Sequence, residues 1–235
     1  MKSVDQIAVS GPGPLAGADL RGSFRYPSSR RRSGFYMRYG KRALDVILVL
    51  LSVPVVVPVV AICAIALLLE GGQPFFRQGR LGRGGRVFQM WKLRTMVHNS
   101  DEMLDRHLTA NPCLRAEWAQ KQKLKDDPRI TPLGGLLRAT SLDELPQLWN
   151  VLVGQMSLVG ARPMMVNQLE LYGEADWYFM QRPGLTGPWQ VGDRNDIGFR
   201  GRADIDEAYC RDITLGRDLQ ILFETIAVVL RGTGY

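Results

Sequence analysis

The sequence is poor in the residues that build cross-links and soft-metal sites. Its 235 residues include three cysteines, Cys63, Cys113 and Cys210, and two histidines, His98 and His107. The cysteines are far apart and no Cys-x-x-Cys occurs. That argues against a disulfide framework or a zinc site and suits a reducing compartment. The lone histidines suit surface or structural roles. Acidic residues are also scarce, 23 against 30 Lys and Arg, for a net charge of +7. A basic excess points to nucleic acid, anionic lipid or phosphorylated substrates and does not choose among them. With no recognition helix and no aromatic-basic RNA motif, no nucleic-acid partner is expected. There is no internal repeat. The apolar content of 46% allows one sizeable core, or a smaller domain plus a membrane element.

Residues 1–40 are rich in Gly, Pro, Ser and Arg and lack periodicity. They read as a flexible tail that turns basic at Arg30, Arg31, Arg32 and Arg38. Such a segment is either a solubilising tail or a polybasic stretch lying on anionic lipid. Residues 41–70 form the second segment. No residue from Val46 to Leu69 is charged, and Ser52 is its only conventional polar side chain. A straight helix of that run would be about 36 Å long, enough to cross a bilayer.

Two features argue for a return to the same face. Pro54 and Pro58 lie inside the run, and each removes a backbone donor, so a kink is expected near Leu50 to Pro54. Both flanks are basic, with Lys41 and Arg42 before the run and Arg77, Arg80, Arg83 and Arg86 after it. The positive-inside rule draws both ends to the cytoplasm. A bent, re-entrant helix satisfies both features, and a kinked spanning helix is the alternative.

Residues 71–235 read as the soluble domain. PFFRQGRLGRGGRVFQMWKLRT predicts a β-hairpin turning at Gly82 to Gly85. Period two then puts Phe88, Met90, Lys92 and Arg94 on one face, so Lys92 and Arg94 are expected at one site. Residues 99–124 predict two helical pieces broken at Asn111-Pro112. Lys121, Lys123 and Lys125 read as a solvated face or a lipid-facing patch. QRPGLTGPWQVGDRND is a Gly/Pro-dense loop. Leu219, Leu222, Phe223, Ile226 and Leu230 predict a C-terminal helix packing on core or membrane surface.

The chemistry concentrates in TSLDELPQLWNVLVGQMSLVGARP, Thr140–Pro163. Ser141 and Glu144 form a capping-box pattern, which would make both acids helix-start furniture. In that frame Pro146 falls at the fifth helical position. A helix starting at Leu145 would put it at the favoured first position instead, so the register stays open. Either way Asp143 and Glu144 lie beside a helix N-terminus, a ready phosphate site. Two carboxylates there need cations, and Lys92, Arg94, Arg138, Arg162, Arg182 and Arg194 are the supply. That combination suits phosphoryl transfer. Mg²⁺ binds through one or two carboxylates plus substrate phosphates, and a carboxylate can itself be the nucleophile.

KRALDV, FQMWKLRTM, DDPRITPLG, TSLDELPQLWNVLVGQMSLVGARP and RPGLTGPWQV, in this order, resemble the bacterial sugar transferases. These are small monotopic phosphoglycosyl transferases that begin exopolysaccharide assembly. The resemblance implies a mainly α fold with a small β-hairpin, a Pro-kinked re-entrant helix broken near Ser52 and Pro54, and a compact catalytic domain on the cytoplasmic face of the inner membrane. It implies transfer of a sugar 1-phosphate, galactose or glucose, from a UDP-sugar to undecaprenyl phosphate with release of UMP. Asp143 matches the family's nucleophile and Glu144 its Mg²⁺-holding partner. Lys92, Arg94, Arg138 and Arg162 fall on phosphate-positioning motifs. Ala161 stands where the pattern has proline, Gly192-Asp193-Arg194 where Ser-Gly-Arg is usual, and Ile213 where tryptophan is common. These departures leave open a second reading, a catalytically weak membrane scaffold. A homodimer is also left open.

Overall fold

A computed structural model describes residues 34–121, 124, 126–172, 175–192 and 199–231. A π-helical turn, Tyr36–Gly40, runs directly into helix α1, Lys41–Glu70. The hairpin β1 (Phe75–Leu81) and β2 (Val87–Leu93) follows, then α2 (Ser100–Ala110), α3 (Pro112–Lys121) and α4 (Pro132–Ala139). Next come α5 (Gln147–Leu152), β3 (Ser157–Val159), α6 (Leu169–Tyr172), α7 (Asp176–Met180), β4 (Gly184–Thr186) and α8 (Pro188–Val191). Helices α9 (Phe199–Arg211) and α10 (Leu215–Leu230) close the order.

Among the described residues one helix, Tyr36–Glu70, is long and apolar enough to cross a membrane. Helical geometry continues through Pro54 and Pro58. A return to the same face therefore requires a kink inside one helix, not two helices joined by a loop. Ser52 Oγ donates back to the Val49 carbonyl at 2.7 Å, a bond that tends to bend helices.

The two ends of α1 are fastened to the same domain. At the first turns Arg42 donates to the Val151 and Leu152 carbonyls at 2.6 and 2.7 Å, satisfying the C-terminal end of α5. Asp45, 2% exposed, accepts from the Leu158 amide at 2.9 Å and from Ser157 Oγ at 3.1 Å. Lys41 donates to Asp218 of α10 at 2.5 Å. At the far end Leu67 is buried with Leu93 and Leu137, and Arg94 donates to the Leu67 carbonyl at 3.0 Å. Between these anchors Leu50, Leu51, Val53, Val55 and Val57 face outward.

The hairpin is antiparallel, with Phe76 opposite Lys92 and Leu81 opposite Val87. Gly84, at φ 68°, takes the left-handed turn position that glycine permits. The helical pair breaks at Asn111, as its Asn-Pro step predicts.

A second sheet was not expected. β3 and β4 pair in parallel, Ser157 opposite Gly184 and Val159 opposite Thr186. The chain closes tightly here because a Cβ on Gly184 would lie 2.1 Å from the Gly160 amide nitrogen. Strands of this length carry no readable alternation, and the pairing is long-range.

The main core joins Val49, Phe88, Met90, Val151, Met156 and Tyr209. Helix α10 buries Asp218 and Ile221 but leaves Phe223 and Leu230 70% and 81% exposed. Its apolar face is thus only partly used by the domain.

Candidate active site

The two acids sit on a short 3₁₀ turn, Leu142–Glu144, between α4 and α5. Helix α4 starts cleanly, with Thr131 Oγ1 accepting from the Gly134 amide at 3.0 Å and Pro132 in its first turn. It ends at Thr140, and Ser141 then turns the chain at φ 57°. Ser141 makes no side-chain cap bond, so the capping-box alternative fails. Pro146 is the N-cap of α5 at φ −60°, one place before the alternative start allowed. A left-handed serine costs on the order of 1 kcal/mol, which the surrounding packing has to supply. Leu142 helps, packing among Leu67, Leu93 and Leu137 while its neighbours Asp143 and Glu144 take up the charged side.

Lys92, from β2, joins the hairpin to this turn. Its Nζ lies 2.7 Å from Glu144 Oε1 and 3.6 Å from Asp143 Oδ2. Asp143 is only 6% exposed. Burial pushes its carboxyl above the ordinary aspartate value, Glu144 adds to the rise, and Lys92 and Arg138 oppose it. Glu144 goes the other way. Burial alone would raise it, but Lys92, then Arg162 and Arg80, hold it down at about 2. The pair is therefore split into a firmly ionised glutamate and an aspartate of raised basicity, which is an arrangement suited to divided roles.

Three of the expected cations gather at the acids. Lys92 contacts both, Arg162 lines the same small cavity as Glu144, and Arg138 interacts electrostatically with Asp143. Arg138 is itself held by a 2.9 Å bond from Nε to Thr95 Oγ1. Arg94 is turned away. It bonds Leu67 and Glu70 at the end of α1, because it lies just past the end of β2, where strand alternation no longer places it. Arg182 lies in a separate cavity with Arg42 and Arg83. Arg194 lies outside the described residues, as does Asp193.

A profile described as Bacterial sugar transferase matches residues 36–232. The chain belongs to that family. It is 43% identical over 227 residues to a UDP-galactose-lipid carrier transferase of Erwinia amylovora, covering 94% of this chain and 48% of that protein. It is 44% identical over 198 residues to the undecaprenyl-phosphate galactose phosphotransferase of Salmonella typhimurium, covering 84% of this chain and 42% of the relative. It is 40% identical over 196 residues to the exopolysaccharide production protein ExoY of Sinorhizobium fredii, covering 83% and 87%. The chain spans about half or less of the first two relatives.

Within this sugar transferase fold, three residues join the site that sequence reasoning did not assign to it. Arg80, on β1, lines the cavity with Glu144, Lys92 and Arg162. Burial, then the nearby Arg162 charge, lower its guanidinium to about 10. Gln147, 2% exposed, lines the same cavity, as does Gln190 of α8. Gln147 Nε2 and Arg80 Nε are buried without a hydrogen-bond partner among the described residues. An unpaired buried donor costs roughly 1–3 kcal/mol, which a bound acceptor would recover. Arg80 had a signal, its place in the basic flank, but that signal reads as topology. Gln147 had its spacing, three residues after Glu144. Ala161, at the pattern's proline, is buried and its carbonyl accepts from Gly184 at 2.7 Å, so the fold accommodates the change. Ile213, in place of tryptophan, packs in the main core.

The donor set for a metal is two carboxylates. No group of three or more ligating side chains occurs among the described residues. Hard oxygen donors suit Mg²⁺, with its other positions left to substrate and water. Lys92 Nζ presently stands between the same two carboxylates.

Proposed function

We propose that this chain transfers a sugar 1-phosphate from a UDP-sugar to undecaprenyl phosphate, releasing UMP and initiating exopolysaccharide synthesis. The observation that carries the reading is Asp143, buried and raised in basicity beside a lysine-bridged Glu144 and in reach of several cations. The names of the relatives support the same class and favour galactose as the sugar, with glucose as the competitor.

In the first step an Asp143 carboxylate oxygen attacks the β-phosphorus of the donor. The new Asp–O–P bond forms as the bond to the UMP oxygen breaks, and UMP leaves with that electron pair. In the second step an oxygen of undecaprenyl phosphate attacks the same phosphorus and the aspartyl bond breaks. Asp143 returns as carboxylate, so the cycle balances. The obstacle is charge. One carboxylate against one phosphate charge at 4 Å costs about 4 kcal/mol at an effective dielectric of 20. Lys92, Arg80, Arg138 and Arg162 supply the opposing field. Asp143 and Glu144 would hold Mg²⁺, which supplies further neutralisation of the diphosphate when bound. Gln147 and Arg80 offer their unpaired donors to donor oxygens.

The membrane reading is a proposal of the same kind. Both ends of α1 grip one domain, through Arg42 and Asp45 at the start and Leu67 at the end. That supports a re-entrant helix with the site on the cytoplasmic side of the inner membrane. The exposed Phe223 and Leu230 of α10 suit burial in the interface.

The test is UMP release in nanodiscs containing undecaprenyl phosphate and Mg²⁺, across a panel of UDP-sugars, with Asp143→Asn and EDTA as controls. Release from one donor, abolished by both controls, is expected. Donor binding without turnover in a folded chain would instead support the scaffold reading.

A further inference from the structure

A second cavity, of about 530 Å³, shares no lining residue with the site at Asp143. It lies at the start of α1 and is walled by Arg38, Arg42, Arg83, Arg182 and Asp45. Its two inner guanidinium groups are held by backbone, not by acids. Arg42 bonds the Val151 and Leu152 carbonyls, and Arg182 Nε donates to the Gly154 carbonyl at 2.7 Å. They are also close together. A Cβ on Gly154 would lie 3.6 Å from Arg42 Nη2 and 4.0 Å from Arg182 Nε.

The charges do not balance. Lys41 also lines the cavity, but Asp218 neutralises it at 2.5 Å. Among the described residues Asp45 is the one carboxylate in the lining; it accepts from Ser157 and Leu158, and its single charge is shared by Arg42 and Arg182. No carboxylate forms an ion pair with Arg38, Arg42, Arg83 or Arg182 among the described residues. Burial lowers the Arg182 guanidinium most, the neighbouring charges of Arg42 and Arg83 lower it further, and Asp45 opposes them. Planar guanidinium groups arranged around one space are suited to phosphate oxygens, which they bind in bidentate fashion. The surroundings add an apolar element. Phe35 and Tyr39 are exposed beside the mouth residue Arg38, and Ile47, Leu50 and Leu51 follow on α1.

We propose that this cavity is a second anion site, which binds a phosphate group at the membrane surface. Its ligand is the phosphate of an anionic lipid headgroup or a free phosphate anion, recognised by the same arginines. The inference does not depend on the chemistry at Asp143.

The full chain, reconstituted in phosphatidylcholine nanodiscs with a minor fraction of phosphatidylglycerol, is extracted into non-ionic detergent. Native mass spectrometry then identifies the lipid it retains. In a parallel arm, thermal melting in detergent is followed with added inorganic pyrophosphate. The key variant is Arg38→Ser/Arg83→Ser, two exposed mouth residues. The control is Arg106→Ser/Arg115→Ser, which removes equal charge from α2 and α3. Retention of phosphatidylglycerol by the wild type and the control, reduced roughly tenfold or more in the mouth variant, establishes the lipid as ligand. Stabilisation by pyrophosphate that the mouth variant alone loses, without retained lipid, identifies the free anion. Equal effects of the two double variants, or no effect of the mouth variant in either arm, overturn the proposal.

Discussion

Lys92 donates to Glu144 across 2.7 Å, tying the second strand of the hairpin to the acidic turn. The bond keeps one carboxylate ionised while its neighbour Asp143, at 3.6 Å from the same ammonium, is left more basic.

Lys92→Ala therefore has two expected effects. On the proposed function, loss of one preorganised cation from the site lowers UMP release roughly 100-fold or more. Glu144, freed from its strongest opposing charge, rises from about 2, and Asp143, which Lys92 also holds down, rises further, so the acid limb of the pH–rate profile moves to higher pH. The sign is fixed by the depressed value. The Lys92 contribution is present above the ordinary glutamate value and is lost as pH falls through about 2. A rate profile that keeps its acid limb in the variant would show that Lys92 does not hold down the carboxylates on which turnover depends.

Asp143→Asn separates function from stability. Burial opposes the charged form of Asp143, so its ionised state is a cost to the fold at neutral pH. The amide removes that cost while Lys92 keeps Glu144 as partner. Turnover is expected to vanish while the melting temperature at pH 7.5 stays equal or rises. A clear fall in melting temperature would mean that Asp143 is held for structure.

Asp206, on α9, gives a pH prediction remote from the acidic turn. It is 2% exposed and accepts from Tyr172 OH at 2.6 Å. Burial pushes its carboxyl from 3.8 up to about 7, against the opposing Tyr172 bond and Arg202 charge. The native state then holds a proton that the unfolded chain has released, so stability falls as pH rises between those values. The loss approaches about 4 kcal/mol and is flat above pH 7 or so. Asp206→Asn should escape it. Thermal melts are expected to show a gain for the variant that grows between about pH 4 and pH 7 and then levels. A gain independent of pH would assign the effect to packing.

What the sequence makes legible follows from range. The hairpin, the break at Asn111 and the approach of Lys92 to the acids rest on local alternation and turn chemistry, and each has its counterpart in the structure. The acidic turn was half legible. Its residues were plain, but the register was not, because Ser141 leaves the helical region where a capping serine was one alternative. The β3–β4 pair was hidden, since it depends on Gly160 and Gly184 meeting in space. Strand alternation, carried one residue past the end of β2, misplaced Arg94, and charge alone misplaced Arg182. Arg94 serves the end of α1 and Arg182 a second cavity, while Arg80, read as a topological flank, lies beside Glu144. KRALDV illustrates the same limit. Lys41, Arg42 and Asp45 stand out as a motif, but their role as anchors of α1 to α10, α5 and β3 appears only when their partners are in place.

Those anchors make the membrane topology testable with two single cysteines. Phe35 precedes α1 and Gln73 follows it, and both are exposed. Phe35→Cys and Gln73→Cys, each in a Cys113→Ser background, are labelled with a membrane-impermeant maleimide in right-side-out and inverted vesicles. A helix that enters and returns puts both positions on one side, so both label only in inverted vesicles. A spanning helix puts them on opposite sides, and the two orientations then label different positions. The second result would require either the Arg42 and Asp45 contacts or the Leu67 contact to be lost in the bilayer, because one domain cannot hold both ends of a helix across it. Arg42→Met then decides which way the coupling runs. It leaves the Leu152 carbonyl without its donor, at roughly 1–3 kcal/mol, while the Val151 carbonyl keeps the Gly154 amide. If the grip at the start of α1 fixes the re-entrant form, Phe35→Cys labelling becomes mixed between the two vesicle orientations while Gln73→Cys labelling does not change.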